Sequence, residues 1–246
     1  MPPREAGQGG SGEDLVVLLH GLGAASSVWS RLTPLLAGRP WVAPDLRGHG
    51  AGPAGPPWGY GQHAADVAAL SAELGASRVT VLGHSFGGVV GAVLGTGWFG
   101  VEVSRVVAVG VKIDWTAEEE AGARRVAGRP PQVFPTAAEA AERHLRLAGL
   151  TGFVDPSSEV ALAGVREVDG GFSPALDPGA FGAVGPSVEA VLRSCRAPLR
   201  LAAGAADPMV GLDAMRRIDP DAVLVEGAGH NAHWETPEAV LALLDG

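Results

Sequence analysis

The 246-residue sequence is poor in cysteine, in lysine and in charged residues generally. Its one cysteine, Cys195, cannot form an internal disulfide bond, which is typical of proteins from a reducing compartment. The formal net charge is −9 and no basic run occurs, which argues against nucleic acid and anionic membrane surfaces as partners. With 46% hydrophobic and 18% charged residues, the composition excludes intrinsic disorder for most of the chain.

The sequence also lacks a recognisable targeting signal and a convincing membrane span. Residues 1–13 hold no apolar stretch and resemble neither a signal peptide nor a transit peptide, so we expect a cytoplasmic protein. Residues 79–101 carry no charged side chain and are long enough to cross a bilayer, but they contain His84, Ser85 and several glycines. We therefore predict a buried strand, a tight turn and a buried helix in this segment.

Short apolar runs alternate with helical patterns along the first 113 residues. The runs typical of buried parallel strands are residues 15–19, 41–43, 79–82 and 103–109. Helical spacing of apolar residues is found in residues 26–37 and 62–74, and a glycine-rich helix follows Phe86. This alternation predicts an α/β domain with a doubly wound, mostly parallel sheet.

Residues 114–196 interrupt the alternation and contain no strong strand signal. Two capping boxes, Thr116 with Glu119 and Thr136 with Glu139, each open a helical run in this segment. Beyond it the alternation resumes, with strands at 199–203 and 222–225 and helices at 208–218 and from Thr236 onward. We predict an α/β core formed by residues 1–113 and 197–246, with residues 114–196 as a helical insert.

The sequence Gly83-His84-Ser85-Phe86-Gly87 lies directly after a predicted strand and before a predicted helix. This is the context of a nucleophile elbow, in which a serine sits on a sharp turn with its hydroxyl above the strand ends. The turn leaves no room for side chains two positions either side, so glycine is needed there. Ser85 is therefore the predicted nucleophile.

A serine nucleophile needs a base, and the base needs an orienting carboxylate. His230 follows the last predicted strand and Asp207 follows the strand before it, so both lie at carboxyl ends of strands. The order Ser85, Asp207, His230 fits such a triad. Asp114 is the rival carboxylate, and Asp207 could alternatively cap a helix. His233 is the rival base, although a surface position on its loop is expected.

Two backbone amides are placed to bind a developing oxyanion. The glycines of His20-Gly21-Leu22-Gly23 allow close approach of a backbone N–H, so the amide of Leu22, with that of Phe86, would form a two-donor hole. We expect His20 to be structural beneath this loop. His84 should pack beside the turn without taking part in the chemistry.

Taken together, these motifs resemble the α/β-hydrolase superfamily, in its capped, single-domain bacterial branch. The matching segments are residues 15–23 (LVVLLHGLG), 45–50 (DLRGHG), 83–88 (GHSFGG), 204–207 (GAAD), 229–230 (GH) and 235–237 (ETP). The resemblance implies Ser85, Asp207 and His230 as the triad, the Leu22 and Phe86 amides as oxyanion donors, and a lid formed by the insert. It also implies that the protein uses no metal and no organic cofactor.

The start of the chain departs from the fold that this resemblance implies. Such folds often open with two strands before the His-Gly motif, whereas here only 14 residues, rich in glycine and proline, precede residue 15. We therefore expect the opening hairpin to be missing or vestigial, and a sheet of about six strands, all parallel.

Residues near the junction of the fourth strand and the insert are candidates for the substrate pocket. Lys112 could hold an anionic or carbonyl-bearing substrate, or form a surface ion pair beside a packed Trp115. Met209 could add apolar lining, although ordinary packing would also explain it.

The sequence favours hydrolysis of a carboxylic ester or related acyl compound, a small-molecule substrate, through an acyl-enzyme. Serine at position 85, where some branches carry aspartate, argues against epoxide hydrolase and haloalkane dehalogenase chemistry. C–C bond hydrolysis or a lyase-type reaction with the same triad, and a non-catalytic binding protein of this fold, are the alternatives. Fold alone does not choose among them, and the sequence does not give the oligomeric state.

Overall fold

The computed structural model describes residues 5–9, 14–36, 38–183 and 185–245. Its central sheet has seven strands in the order β1-β3-β2-β4-β5-β8-β9. The strands are β1 (Glu5–Gly9), β2 (Asp14–Leu19), β3 (Trp41–Pro44), β4 (Arg78–His84), β5 (Glu102–Val109), β8 (Leu199–Gly204) and β9 (Val223–Val225). Strands β2, β3, β4, β5, β8 and β9 are mutually parallel, as predicted.

The expectation that every strand is parallel is wrong at one edge. Strand β1 pairs antiparallel with β3 over Glu5–Gly9, with a register shift between Glu5 and Gly7. The opening hairpin is therefore reduced to a five-residue edge strand. This glycine-rich segment can still form a strand, because main-chain hydrogen bonds between strands need no apolar side chains.

Helices cover both faces of the sheet. They are α1 (Tyr60–Glu73), α2 (Phe86–Leu94), α3 (Ala117–Ala127), α4 (Ala137–Leu147), α5 (Glu159–Leu162), α6 (Val188–Ser194), α7 (Leu212–Arg216), α8 (Ala232–Glu235) and α9 (Pro237–Ala242). Residues 79–101 form most of β4, a turn and α2, which confirms the predicted strand, turn and helix. Within the described ranges, no helix combines the length and apolar character that a membrane crossing requires.

Alternation along the strands produces the two-faced core. In β2, Val17 and Leu19 join one buried cluster with helices α1, α2 and α6, whereas Val16 and Leu18 join the other with Trp29. Successive side chains of a strand point to opposite faces, so a strand buried on both sides is apolar throughout. The predicted doubly wound arrangement is confirmed.

Two predicted helices are shorter in the structure than the apolar spacing indicated. Residues 26–37 contain two short 3₁₀ helices, Ser26–Trp29 and Thr33–Leu36, because Pro34 lacks the N–H that a continuous helix would need. The helix predicted from residue 208 begins only at Leu212, since its N-cap Gly211 has an extended backbone.

The segment between β5 and β8 is not wholly helical. It contains an antiparallel hairpin of β6 (Val165–Val168) and β7 (Gly171–Pro174), joined by Asp169-Gly170. Helix α4 packs against this hairpin and helix α3 packs against the 3₁₀ helix Pro178–Gly182. Helix α6, at the end of the segment, instead packs on α2 in the core.

Candidate active site

Ser85 occupies the turn between β4 and α2 in a backbone conformation that non-glycine residues rarely adopt. Its φ is 50° and its ψ is −116°, and its amide donates to the carbonyl of Val109 at 2.8 Å. A side chain at Gly83 would come within 2.4 Å of the Gly87 carbonyl oxygen, and one at Gly87 within 2.1 Å of the Leu19 oxygen. Both glycines are therefore sterically required, and the turn holds Ser85 at the carboxyl end of the sheet.

His230 and Asp207 are brought together by the loops after β9 and β8. The Nδ1 of His230 donates to Oδ2 of Asp207 at 2.8 Å, and the Asp207 side chain is fully enclosed. The other carboxylate oxygen, Oδ1, accepts the amide of Met209 at 2.8 Å. One carboxylate therefore both pairs with the histidine and caps the following turn, two roles that the sequence alone presents as alternatives.

The two rival residues make different contacts. Asp114 has a largely exposed side chain and pairs with Arg217 at 2.6 Å. His233 is fully buried, which contradicts the expected surface position, because helix α8 turns its ring inward. Its ring lies 4.7 Å from that of Trp29 and 4.3 Å from that of His84, measured between centroids.

The backbone around His230 is fixed from both sides. The carboxylate of Glu235 accepts the amide of Gly229 at 3.0 Å through Oε2 and that of Asn231 at 3.2 Å through Oε1. The Nε2 of His84 donates to the carbonyl of His230 at 3.0 Å. His84 thus packs beside the turn as expected, and Glu235 holds the two amides that flank His230.

The loop with Leu22 is held by two histidines. His20 accepts the Leu46 amide at 2.9 Å through Nε2, which confirms its structural role. His49 has a structural role that was not predicted from the sequence, because its Nε2 accepts the amide of Gly23 at 3.0 Å. The residue lies in the DLRGHG segment, but nothing in that segment indicates a partner 26 positions earlier in the chain.

Leu22 and Phe86 both lie beside Ser85 in the lining of one cavity. A side chain at Gly21 would come within 2.8 Å of His84 Nδ1 and 3.4 Å of the Ser85 Cβ, so the loop runs against the turn. The backbone of this loop can therefore approach an atom bonded to Ser85.

The cavity above Ser85 has a volume of about 570 Å³. Most of its apolar lining residues are buried, whereas most of its charged lining residues, which carry both signs, are exposed. The charged residues follow β5 or belong to α3 and the start of α6. The apolar lining includes Leu22, Phe86, Val89, Val111, Ile113, Phe181 and Val188, and the charged lining consists of Lys112, Asp114, Glu120, Arg124 and Glu189.

The structure places two of the three predicted pocket residues in this lining. Lys112 pairs with Glu119, and its ammonium lies 5.3 Å from the ring centroid of Trp115. The Lys112 ammonium, together with Thr116, lowers the pKa of Glu119 to about 2. Met209 is 46% exposed and is not among the lining residues.

The end of helix α4 touches both loops that carry catalytic candidates. The side-chain amide of Asn231, next to His230, donates to the carbonyl of Gly149 at 2.9 Å. A side chain at Gly23 would come within 3.1 Å of the Leu147 carbonyl oxygen. The segment between β5 and β8 is therefore in direct contact with the Leu22 loop and with the His230 loop.

The described ranges contain no set of side chains that could form a metal site. No group of three or more histidine, cysteine or acidic side chains lies close enough together there to hold a metal ion.

Comparison with known proteins identifies the family. A model of the "Alpha/beta hydrolase family" matches residues 16–243. The chain belongs to this family. Over 82 residues it is 42% identical to the lipase LipV of Mycobacterium tuberculosis (strain ATCC 25618 / H37Rv), a match that covers 33% of this chain and 31% of LipV. The aligned part thus spans about a third of either protein.

Solved structures of similar fold include hydrolases with different named activities. The thioesterase domain from the curacin biosynthetic pathway is 19% identical, with a TM-score of 0.75 over 97% of this chain and 93% of that one. E-2-(acetamidomethylene)succinate hydrolase is 25% identical, with a TM-score of 0.74 over 97% and 92%. An esterase from Mycobacterium tuberculosis is 22% identical, with a TM-score of 0.72 over 99% and 92%.

Proposed function

We propose that this alpha/beta hydrolase cleaves a carboxylic ester or a related acyl compound through an acyl-enzyme on Ser85. The hydrogen bond between His230 and Asp207, in a chain whose Ser85 sits on a strained elbow, carries the proposal. The partial match to a lipase supports ester substrates. The mostly buried apolar residues that line the cavity with Ser85 suit an acyl group.

In this mechanism the Ser85 hydroxyl attacks the substrate carbonyl and transfers its proton to His230. The new covalent bond joins Oγ to the carbonyl carbon, and the carbonyl oxygen becomes an oxyanion. His230 then gives the proton to the leaving group, and a water activated by His230 releases the acid from the acyl-enzyme. Asp207 keeps the imidazole oriented through Nδ1 and stabilises its charged form.

The amides of Leu22 and Phe86 bind the oxyanion in this proposal. Phe86 is the first residue of helix α2, so its N–H belongs to the unpaired amides at the positive end of the helix. The loop of Leu22 runs against Ser85 and is fixed by His20 and His49, so its amide is held in place before the substrate arrives.

Residues 114–196 act as the cap over this site. Helix α3 supplies Glu120, Ala123 and Arg124 to the cavity wall, and the 3₁₀ helix Pro178–Gly182 supplies Phe181. A wall of this kind separates the acyl-enzyme from bulk water.

The test compares two serines that line the same cavity. Ser85→Ala should lose turnover of a p-nitrophenyl ester by several orders of magnitude and lose labelling by a fluorophosphonate. Ser187→Ala, the matched control, should keep both. Asp207→Asn should impair turnover far more than Asp114→Asn.

Three outcomes would contradict the proposal or part of it. Retention of more than a small fraction of activity by Ser85→Ala would remove the serine mechanism. The reverse ranking of the aspartates would move the carboxylate role to Asp114. Turnover of vinylogous diketones without turnover of esters would replace ester hydrolysis with C–C cleavage by the same residues.

A further inference from the structure

A second, smaller cavity of about 100 Å³ lies within the segment between β5 and β8. It is lined by the linker between α3 and α4, by α4 itself, by β7 and by the 3₁₀ helix Pro178–Gly182, and it is open to solvent on the linker side. Its polar lining consists of Arg129, Gln132, Arg143 and Ser173. None of the residues that line it is acidic, although the chain as a whole carries a net charge of −9.

Both arginines of this cavity lack a counter-ion in the described part of the chain. Among the residues that the structure describes, Arg143 and Arg129 form no ion pair, and the Nε of Arg143 is buried without a hydrogen-bond partner. Glu139 lies one helical turn before Arg143 but is engaged by Thr136, whose amide and hydroxyl both donate to its carboxylate. A buried donor of a charged group that finds no acceptor within the protein calls for one from outside.

We propose that this cavity binds a small oxyanion, the carboxylate or phosphate group of a small molecule, through Arg143 and Arg129. The planar guanidinium presents paired N–H donors that match two oxygens of such a group. The cavity has room for about three water molecules, which suits an anion of that size. The amide of Gln132 adds a polar group on the same wall.

The bound anion is a separate molecule and not the remote end of the substrate. Phe181 lies in the lining of both cavities, so the two sites share this residue as a common wall. A substrate that joined the two would have to displace it. An anion bound here instead contacts the residues that shape the wall of the active-site cavity.

Phosphate titration of four proteins tests the assignment. Inorganic phosphate is titrated by calorimetry into the wild type, Arg143→Gln, Arg129→Gln and Arg146→Gln at constant ionic strength. Arg146 is exposed on the same helix and does not line the cavity, so it is the matched control. We expect saturable binding to the wild type, at least about tenfold weaker binding to Arg143→Gln and Arg129→Gln, and a change within about twofold for Arg146→Gln.

Each result decides the assignment, and none depends on turnover. Absence of saturable phosphate binding by the wild type, or equal weakening in all three variants, would overturn it. If Arg143→Gln unfolds, Arg143→Lys replaces it: this variant keeps the charge but loses the planar guanidinium, so it should still bind phosphate severalfold more weakly. Arg129→Gln changes an exposed side chain, so it should leave the fold intact and test the site independently.

A kinetic measurement locates the source of the anion. Phosphate that binds without changing KM for a neutral ester supports a separate anion, as proposed. Competition between phosphate and the ester that disappears in Arg143→Gln would overturn the separation from the substrate path.

Discussion

Mild acid should destabilise this protein strongly, because most of its histidines are buried as neutral rings. Burial lowers the pKa of His63 and His144 to about 4 and that of His233 to about 3. The pKa values of His49 and His84 are also lowered well below 6.5 by burial. Five rings therefore stay neutral in the native state at pH values where exposed histidines gain a proton.

The direction of the effect follows from proton uptake on unfolding. In the unfolded chain the pKa of each ring is near the ordinary histidine value of 6.5. Because the native pKa is lower, the unfolded state binds more protons, so the free energy of unfolding is unaffected well above pH 6.5 and falls as the pH drops towards the native pKa.

The size of the loss is a large part of the stability of a domain. Between about pH 6.5 and about pH 5.5 each such ring lowers the free energy of unfolding by about 1 kcal/mol, because the unfolded ring goes from about half protonated to about nine-tenths protonated while the native ring stays neutral. Five rings together amount to about 5 kcal/mol, against a typical total of ~5–15 kcal/mol.

Urea unfolding at about pH 6.5 and about pH 5.5 measures this difference directly. The variant His233→Phe removes one buried ring that has no hydrogen-bond partner and should reduce the difference by about 1 kcal/mol. A free energy of unfolding that changes by less than about 1 kcal/mol between the two pH values would refute the reasoning, because the rings would then accept protons without unfolding.

Two further predictions concern the site and its cover. Glu235→Gln removes one of the two carboxylate oxygens that accept the amides beside His230, so it should lower kcat about tenfold with little change in KM. Glu238→Gln changes an exposed side chain and is the control, which should leave kcat unchanged. Equal effects of the two substitutions would contradict a positioning role for Glu235. Amide exchange should be faster in α3, which buries no side chain, than in α4, which buries four; equal protection in a mass-spectrometric measurement would contradict a loosely held α3.

The features that were predictable from the sequence are those encoded by neighbouring residues. The elbow around Ser85 is specified by two glycines and by the apolar run before it, and the parallel strands by apolar runs of their own. Both capping boxes, at Thr116 and Thr136, form as the spacing predicted. Each of these signals lies within a few residues of the structure that it describes.

Features that depend on distant partners were not predictable in this way. The burial of His233 depends on Trp29, about 200 positions earlier, and the role of His49 depends on the amide of Gly23. The hairpin of β6 and β7, in contrast, was predictable from neighbouring residues, because Asp-Gly, here Asp169-Gly170, is a preferred dipeptide of tight hairpin turns. The prediction of a helical segment did not take this dipeptide into account.

The hydrogen bond from Asn231 to Gly149, and the close approach of Leu147 to Gly23, have a consequence for protein engineering. A segment that lines a pocket without touching the catalytic loops could be exchanged between relatives to transplant specificity. Here the end of α4 contacts the Leu22 loop and the His230 loop directly. Chimeras with a foreign segment should therefore keep their turnover only if residues 147–149 are retained from this chain.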